Sequence, residues 1–276
     1  MLDVPLVEIA VAKGDSLGWA GRFVNLSHHS VATRRHLRRR PEVMVLDEGE
    51  EPVGTAATLR QLRPDLSQTV VTYNCDLLSD LSLPDLIEEH RRGHKACTLA
   101  VRSVSAGADL SLDDDGRAHL LNRHESSGAG LLFLGAACFE RDALATIADE
   151  VPLGLVEGLL RPLIEARQVT LFEHPGYARD AGTLERYLEG SIDALDRAPN
   201  LVDPPGTIST NGKRCYVGPG AAVSEAFLGD GAIVLRGAGV GSTTRLTNCV
   251  VWPGSDVPSG IALAHGIWFE GSFLRA

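Results

Sequence analysis

Three short stretches carry residue types that could do chemistry. Val70–Asp80 reads VVTYNCDLLSD, an apolar run that turns polar at Asn74-Cys75-Asp76. β-Branched residues followed by a polar exit describe a buried parallel strand, and ligands of open α/β sheets gather at the carboxyl ends of such strands. A carboxylate there, Asp76, suits a hard cation such as Mg²⁺, which is ordinarily held by one or two carboxylates plus substrate phosphates. The competing account is an aspartate that caps the next turn, and both accounts stand at this point. Gly54-Thr55-Ala56 runs straight into a helix. Glycine lets a flat ligand approach the backbone, and a helix start offers free N–H groups. The third stretch is RRHLRRR, at the end of a predicted helix Ser30–Arg40. Pairing with the helix dipole on a solvated face competes there with a phosphate-binding patch.

These residues need elements to hold them. The pattern predicts a helix over residues 1–14, a strand Gly21–Leu26, and a strand Val43–Leu46 before the Gly54 turn. After Val70–Asp76 come a helix Leu83–Arg92 and a strand Ala96–Val101. Asp113-Asp114-Asp115-Gly116 reads as a hairpin turn. A strand Gly130–Leu134, an interrupted helical stretch Ala143–Ala166, a strand Gln168–Phe172 and a helix Leu184–Arg197 complete the alternation. Strands alternating with helices over residues 1–197 predict an α/β domain with a doubly wound, mostly parallel sheet.

At residues 198–210 the composition turns Pro-rich, APNLVDPPG, and reads as a linker. Residues 211–276 show no helical period. Instead VGPGAAV, LGDGAIV, VGSTTRL and VWPGSDV place an apolar residue at about every sixth position, the pattern of a parallel β-helix. An ordinary Gly-rich all-β domain is the alternative, because the register slips around Ile233–Gly239. Coils of this kind stack to bury one narrow core.

Composition excludes several classes. The chain has 276 residues, 44% of them hydrophobic, and a formal net charge of −10. Such a charge disfavours tracking a nucleic-acid backbone. Five scattered cysteines without a C-x-x-C pair fit reduced, buried thiols in a cytoplasmic protein. No stretch approaches the roughly 18 apolar residues of a membrane span, and no signal peptide is read at the N-terminus. His28-His29 is discounted as a metal pair, since neighbours on one extended segment point apart. An apolar β-helix face predicts association with further copies of the chain.

Taken in order, these segments resemble the sugar-1-phosphate nucleotidylyltransferases, and among them the mannose-1-phosphate guanylyltransferase-like members. Val53-Gly54-Thr55-Ala56 resembles the family's L-G-T-A turn, Val71–Asp76 its strand ending in N-G-D with Cys75 in place of Gly, and Tyr177–Thr183 its W-x-D-I-G-T segment. Asn25–His29 resembles its N-x-x-H-H stretch, and the C-terminal hexapeptides its left-handed β-helix. The resemblance implies Asp76 and Asp180 as catalytic residues and Mg²⁺ ligands, and Gly54, Thr55 and Asn74 as nucleotide-facing. The implied partners are a nucleoside triphosphate and a sugar 1-phosphate. Two departures accompany it. The family's G-x-G-T-R-x-R-P loop, which wraps the triphosphate, has no counterpart, and Met1-Leu2-Asp3-Val4-Pro5-Leu6 looks like the point just after it. The family's E-K-P falls at Asn122-Arg123-His124-Glu125-Ser126-Ser127, where Arg123 is left to meet the sugar phosphate; Arg and Lys are not interchangeable at such sites. The expectation is therefore an impaired transferase, or a catalytically inactive homologue that binds a nucleotide sugar or regulates a partner. Acyl transfer through His265 in the β-helix is a weaker third reading.

Overall fold

The computed structural model describes residues 1–27, 31–121, 128–149, 151–209, 213–223 and 225–276. It divides into two compact units. One gathers Lys13–Asn74 and Ser82–Pro175; the other gathers Met1–Ala12, Cys75–Leu81 and Gly176–Ala276.

The first unit is α/β. Arg22–Leu26 and Val43–Asp47 pair in parallel, Arg22 opposite Val43, with the helix Val31–Leu37 between them in sequence. The basic run is engaged in ion pairs: Arg34 meets Asp47 at 2.7 Å, and Arg40 meets Asp15 at 2.9 Å and Glu42 at 3.3 Å. A larger mixed sheet is built around the long strand Gly130–Glu140. Cys97–Val104 runs antiparallel along one side of it, and Val169–Glu173 continues the sheet in parallel. Thr69–Tyr73 pairs antiparallel with the far end of Gly130–Glu140, while Leu110–Leu112 meets its near end. Thr69–Tyr73, Cys97–Val104 and Val169–Glu173 thus all point one way, but the direct neighbour of Thr69–Tyr73 is antiparallel rather than the parallel strand expected. The cause is the length of Gly130–Glu140, which extends beyond the expected Leu134 and fills the gap. Cys97–Val101 is buried at every position, as a central strand covered on both faces must be. Its Leu99 and Val101 pack with Ala56, Leu59, Phe139, Leu144, Leu159 and Leu160 into one core. The helix Leu83–Gly93 starts on Ser82, whose hydroxyl accepts the Asp85 N–H at 3.3 Å, and ends on His94 in the left-handed region.

The second unit stacks a β-coil against a helix. Cys215–Val217, Ala232–Val234, Arg245–Val251 and Ala262–Phe269 form a parallel ladder in which Cys215, Ala232, Cys249 and Gly266 stand in register. Successive partners in this register stand 17 residues apart. A second ladder joins Gly239–Val240 to Asp256–Val257, and a third joins Phe227–Leu228 to Arg245–Leu246 and on to Ala262–Leu263. Alternate residues of the first ladder serve two cores. Ala232, Val234, Cys249 and Val251 face the coil interior with Val240, Leu246 and Val257. Tyr216, Ile233, Val250 and Ile267 point the other way, onto Leu188, Ala194, Leu195 and Leu201. Those last residues belong to the helix Leu184–Leu201, which runs past Arg197 into the stretch read as linker. The amino-terminal helix is Leu6–Ala12, shorter than expected, and Pro5 stands immediately before it.

Candidate functional site

Asp76 and Asp180 meet. Strand Thr69–Tyr73 ends before Asn74, so Asp76 lies in the turn that leads to the short strand Leu77–Ser79. Leu77–Ser79 pairs antiparallel with Ala178–Asp180, Leu77 opposite Asp180, and the Ala181 N–H donates to the Asp76 carbonyl at 2.8 Å. That pairing places the two carboxylates at one rim. The point a β-carbon on Gly182 would occupy is 2.9 Å from Asp76 Oδ2 and 3.0 Å from Asp180 Oδ1. The absence of a side chain at residue 182 therefore keeps open the space both carboxylates border. Asp180 is half exposed and fixed at both oxygens. Oδ1 accepts the Gly182 N–H at 2.7 Å, and Oδ2 accepts from Arg186 at 2.8 Å. Burial, reinforced by the negative charge of Asp180 and opposed by a backbone hydrogen bond, holds the Asp76 carboxyl above the ordinary carboxylate range.

The strand that delivers Asp180 is pinned from its other face. Arg179 donates from Nε to Asp193 at 2.9 Å and pairs with Glu189 at 2.5 Å, while the Tyr177 hydroxyl donates to Asp193 at 2.7 Å. Glu189 and Asp193 are four residues apart and share a face of the helix Leu184–Leu201. Thr183 caps that helix, accepting the Arg186 N–H at 3.3 Å.

Two carboxylates with oxygen donors fit a hard divalent cation, and the like-charge repulsion acting on Asp76 is what such a cation would relieve. Among the described residues no group of three or more His, Cys, Asp or Glu is placed to hold a metal. A pair of carboxylates would leave the other positions of such a cation to waters or phosphate oxygens.

Gly54, Thr55 and Asn74 lie in the other compact unit. Gly54 has φ +89°, a conformation that L side chains rarely adopt, and precedes the helix Thr55–Leu62. The N–H groups expected to be free at that helix start are partly taken: Ala56 and Ala57 donate to the Leu153 carbonyl at 3.1 and 3.4 Å. Asn74 is exposed, and its N–H donates to the Gly135 carbonyl at 2.9 Å. Arg123 lies outside the described residues, as do His28 and His29. His265 is exposed with φ +57° within the strand Ala262–Phe269, and its carbonyl accepts the Ala276 N–H at 3.2 Å.

Sequence reasoning passed over two residues here. Glu48 accepts from Thr58 Oγ1 at 2.5 Å, from Asn25 Nδ2 at 3.0 Å and from the Val53 N–H at 3.3 Å, and so ties the strand Arg22–Leu26 to the glycine turn. Nothing in its local pattern separates it from Glu50 and Glu51. Arg186 could have been noticed, because a basic residue in the first turn of a helix works against the helix dipole.

No family profile matches the chain. Over 226 residues it is 27% identical to mannose-1-phosphate guanylyltransferase of Mycobacterium tuberculosis, an alignment covering 78% of this chain and 61% of the relative. Over 117 residues it is 30% identical to glucose-1-phosphate adenylyltransferase of Acetivibrio thermocellus, covering 41% of this chain and 26% of the relative. The chain therefore spans about three-fifths of the first relative and about a quarter of the second. The crystal structure of HddC from Yersinia pseudotuberculosis superposes with a TM-score of 0.54 at 16% identity, over 67% of this chain and 87% of that one. A structure of the same protein complexed with GMP-PN gives 0.52. The two curated relatives bear out the resemblance read from the motifs, and the solved structures bear out an α/β fold of that type.

Proposed function

From this kinship with sugar-1-phosphate nucleotidylyltransferases, we propose that the chain acts in nucleotidylyl transfer, moving a nucleoside monophosphate from a triphosphate to a sugar 1-phosphate with release of pyrophosphate. The observation that carries the reading is the convergence of Asp76 and Asp180 around the open space at Gly182. In this reading the two aspartates hold Mg²⁺, which when bound supplies charge neutralisation beside the reacting phosphates. Gly54, Thr55 and Asn74 face the nucleotide, and Arg123 meets the sugar phosphate. Displacement at a phosphorus needs no covalent intermediate, so the protein's work is positioning and charge stabilisation. Without a cation, the Gly182 N–H and Arg186 hold the two oxygens of the Asp180 carboxylate. The Ala181 N–H holds the Asp76 main chain beside it. We further assign the C-terminal ladders to a left-handed β-helix of hexapeptide repeats, through which copies of the chain associate in the cytoplasm. We keep residues 198–210 as the proposed link between that β-helix and the α/β domain, although the helix Leu184–Leu201 takes up its first residues.

Residues 1–276 contain no G-x-G-T-R-x-R-P loop. One anion-stabilising donor is commonly worth ~3–4 kcal/mol, so turnover by this 276-residue chain is expected to be slow. A second reading, a nucleotide-sugar-binding or regulatory homologue without turnover, is favoured by the missing Lys at 122–127 and by the bonds from Ala56 and Ala57 to Leu153. Pyrophosphate release should be measured with GTP, ATP, UTP and dTTP against mannose, glucose and heptose 1-phosphates. The transferase reading expects slow release that Asp76→Ala or Asp180→Ala each lowers at least ~100-fold. Unchanged release in both variants would sink it, and tight nucleotide-sugar binding with no release selects the second reading.

A further inference from the structure

Arg186 is the residue whose placement the fold alone does not account for. It stands in the first turn of the helix Leu184–Leu201, where a positive charge opposes the helix dipole. Among the described residues its guanidinium donates to Asp180 Oδ2, at 2.8 Å. Asp180 is one of the two carboxylates assigned to a divalent cation, and its other oxygen is already held by the Gly182 N–H. The oxygen that borders the space beside Gly182 is Oδ1, so the guanidinium holds the other oxygen of a carboxylate that a cation would draw upon. Both partners are half exposed, 53% for Arg186 and 57% for Asp180. Solvent-exposed pairs of this kind favour the closed form by a factor of only up to about five, so a divalent cation can displace the guanidinium. Guanidinium is also the side chain whose forked donors match phosphate oxygens. Helix capping by Thr183 holds its backbone at this rim when the ion pair opens.

We propose that Arg186 is an exchangeable counter-ion of the site: it pairs with Asp180 Oδ2 while no divalent cation is bound, releases the carboxylate when a cation neutralises it, and then binds a phosphate oxygen of the ligand. This rests on the assignment of Asp76 and Asp180 as a cation pair, and the residue is then a phosphate-binding group. The exchange is non-covalent and moves one like charge for another, so no co-reactant is required.

Mn²⁺ binding to the full 276-residue chain, followed by electron paramagnetic resonance, reads the first half directly. Pyrophosphate titrated by calorimetry at saturating Mn²⁺ reads the second. Arg186→Gln should tighten Mn²⁺ about two- to fivefold in the absence of anion, because its competitor is gone. The same substitution should weaken pyrophosphate about tenfold or more, with Arg186→Lys restoring part of the loss. Mn²⁺ affinity that is unchanged or weaker in Arg186→Gln overturns the exchange, and unchanged pyrophosphate affinity overturns the phosphate contact. Asp76→Asn separates this from the underlying assignment. If Asp76→Asn leaves Mn²⁺ binding intact, the cation pair itself is wrong; if it abolishes binding while Arg186→Gln changes nothing, only the counter-ion proposal fails. Circular dichroism of each variant identifies any that fails to fold, and Arg186→Lys then carries the test.

Discussion

Asp76 carries a cost that shows in the stability of the chain. Its carboxyl lies above its ordinary range because burial and the charge of Asp180 disfavour ionisation. An unfolded aspartate titrates near ~3.9. Above that pH the unfolded state has shed its proton while the folded state still holds it, so stability falls as pH rises through the folded pKa. At pH 7, well above the unfolded value, a penalty is therefore present. In chelator-treated protein, Asp76→Asn should therefore raise the Tm at pH 7, and the difference should shrink to nothing as the pH drops below about 4. A variant that melts at or below the parent temperature at pH 7 contradicts the electrostatic account. Gly182 tests the same corner by volume. A methyl group there would lie 2.9 Å from Asp76 Oδ2, closer than real β-carbons approach, and 3.0 Å from Asp180 Oδ1, a tight contact. Gly182→Ala should lower Mn²⁺ affinity ~10-fold or more with little change in the melt, since displaced ligand geometry commonly costs that much. Equal affinity in parent and variant would show that the space is not the cation's.

The strand Ala178–Asp180 is only a few residues long and needs outside support to hold its aspartate still. Side chains alternate across it, so Arg179 points away from the rim and into Asp193 and Glu189. Arg179 and its partners are about one-third to half exposed, which screens the charges and caps their worth. Arg179→Met should destabilise the chain by ~1 kcal/mol, a shift of roughly 2–4 °C in Tm. The pairing is tested by combining it with Asp193→Asn, which also touches Tyr177. Contacting partners should give a double variant that departs from the sum of the singles by at least ~0.5 kcal/mol. Strict additivity would mean the ion pair does not brace the strand. The sequence showed this element as Y-A-R-D-A-G-T by resemblance to a motif, but the helix residues that brace it carry no signal of their own.

At the scale of the molecule, the two ends of the chain meet in one compact unit. Asp3 accepts the Tyr216 hydroxyl at 2.9 Å through Oδ2 and the Arg236 N–H at 2.8 Å through Oδ1. Tyr216 is fully buried between the coil and the helix Leu184–Leu201. Asp3→Ala should leave that hydroxyl without its carboxylate partner and cost ~1–3 kcal/mol, readable as a lower Tm and a lower denaturant midpoint. A variant as stable as the parent would mean that water substitutes for Asp3. Among the described residues no helix is long and apolar enough to cross a membrane.

Local chemistry made part of this protein legible from its residues. The strand through Cys97–Val101, the helix that begins at Leu83 and the Asp115-Gly116 turn are all decided by neighbours in sequence. Backbone dihedrals and side-chain period act over a few residues, so these elements could be read without coordinates. The meeting of Asp76 with Asp180 was read from motif order, but the distance and the gap at Gly182 belong to the pairing of Leu77–Ser79 with Ala178–Asp180. Only the tertiary structure decided that Gly130–Glu140 would run antiparallel beside Thr69–Tyr73, that Leu153 would take the N–H groups at Ala56 and Ala57, and that Arg186 would rest on Asp180. Each of these depends on which segments come together after the chain has closed long loops. That outcome is governed by burial and by satisfaction of hydrogen bonds across the whole unit, which no local pattern encodes.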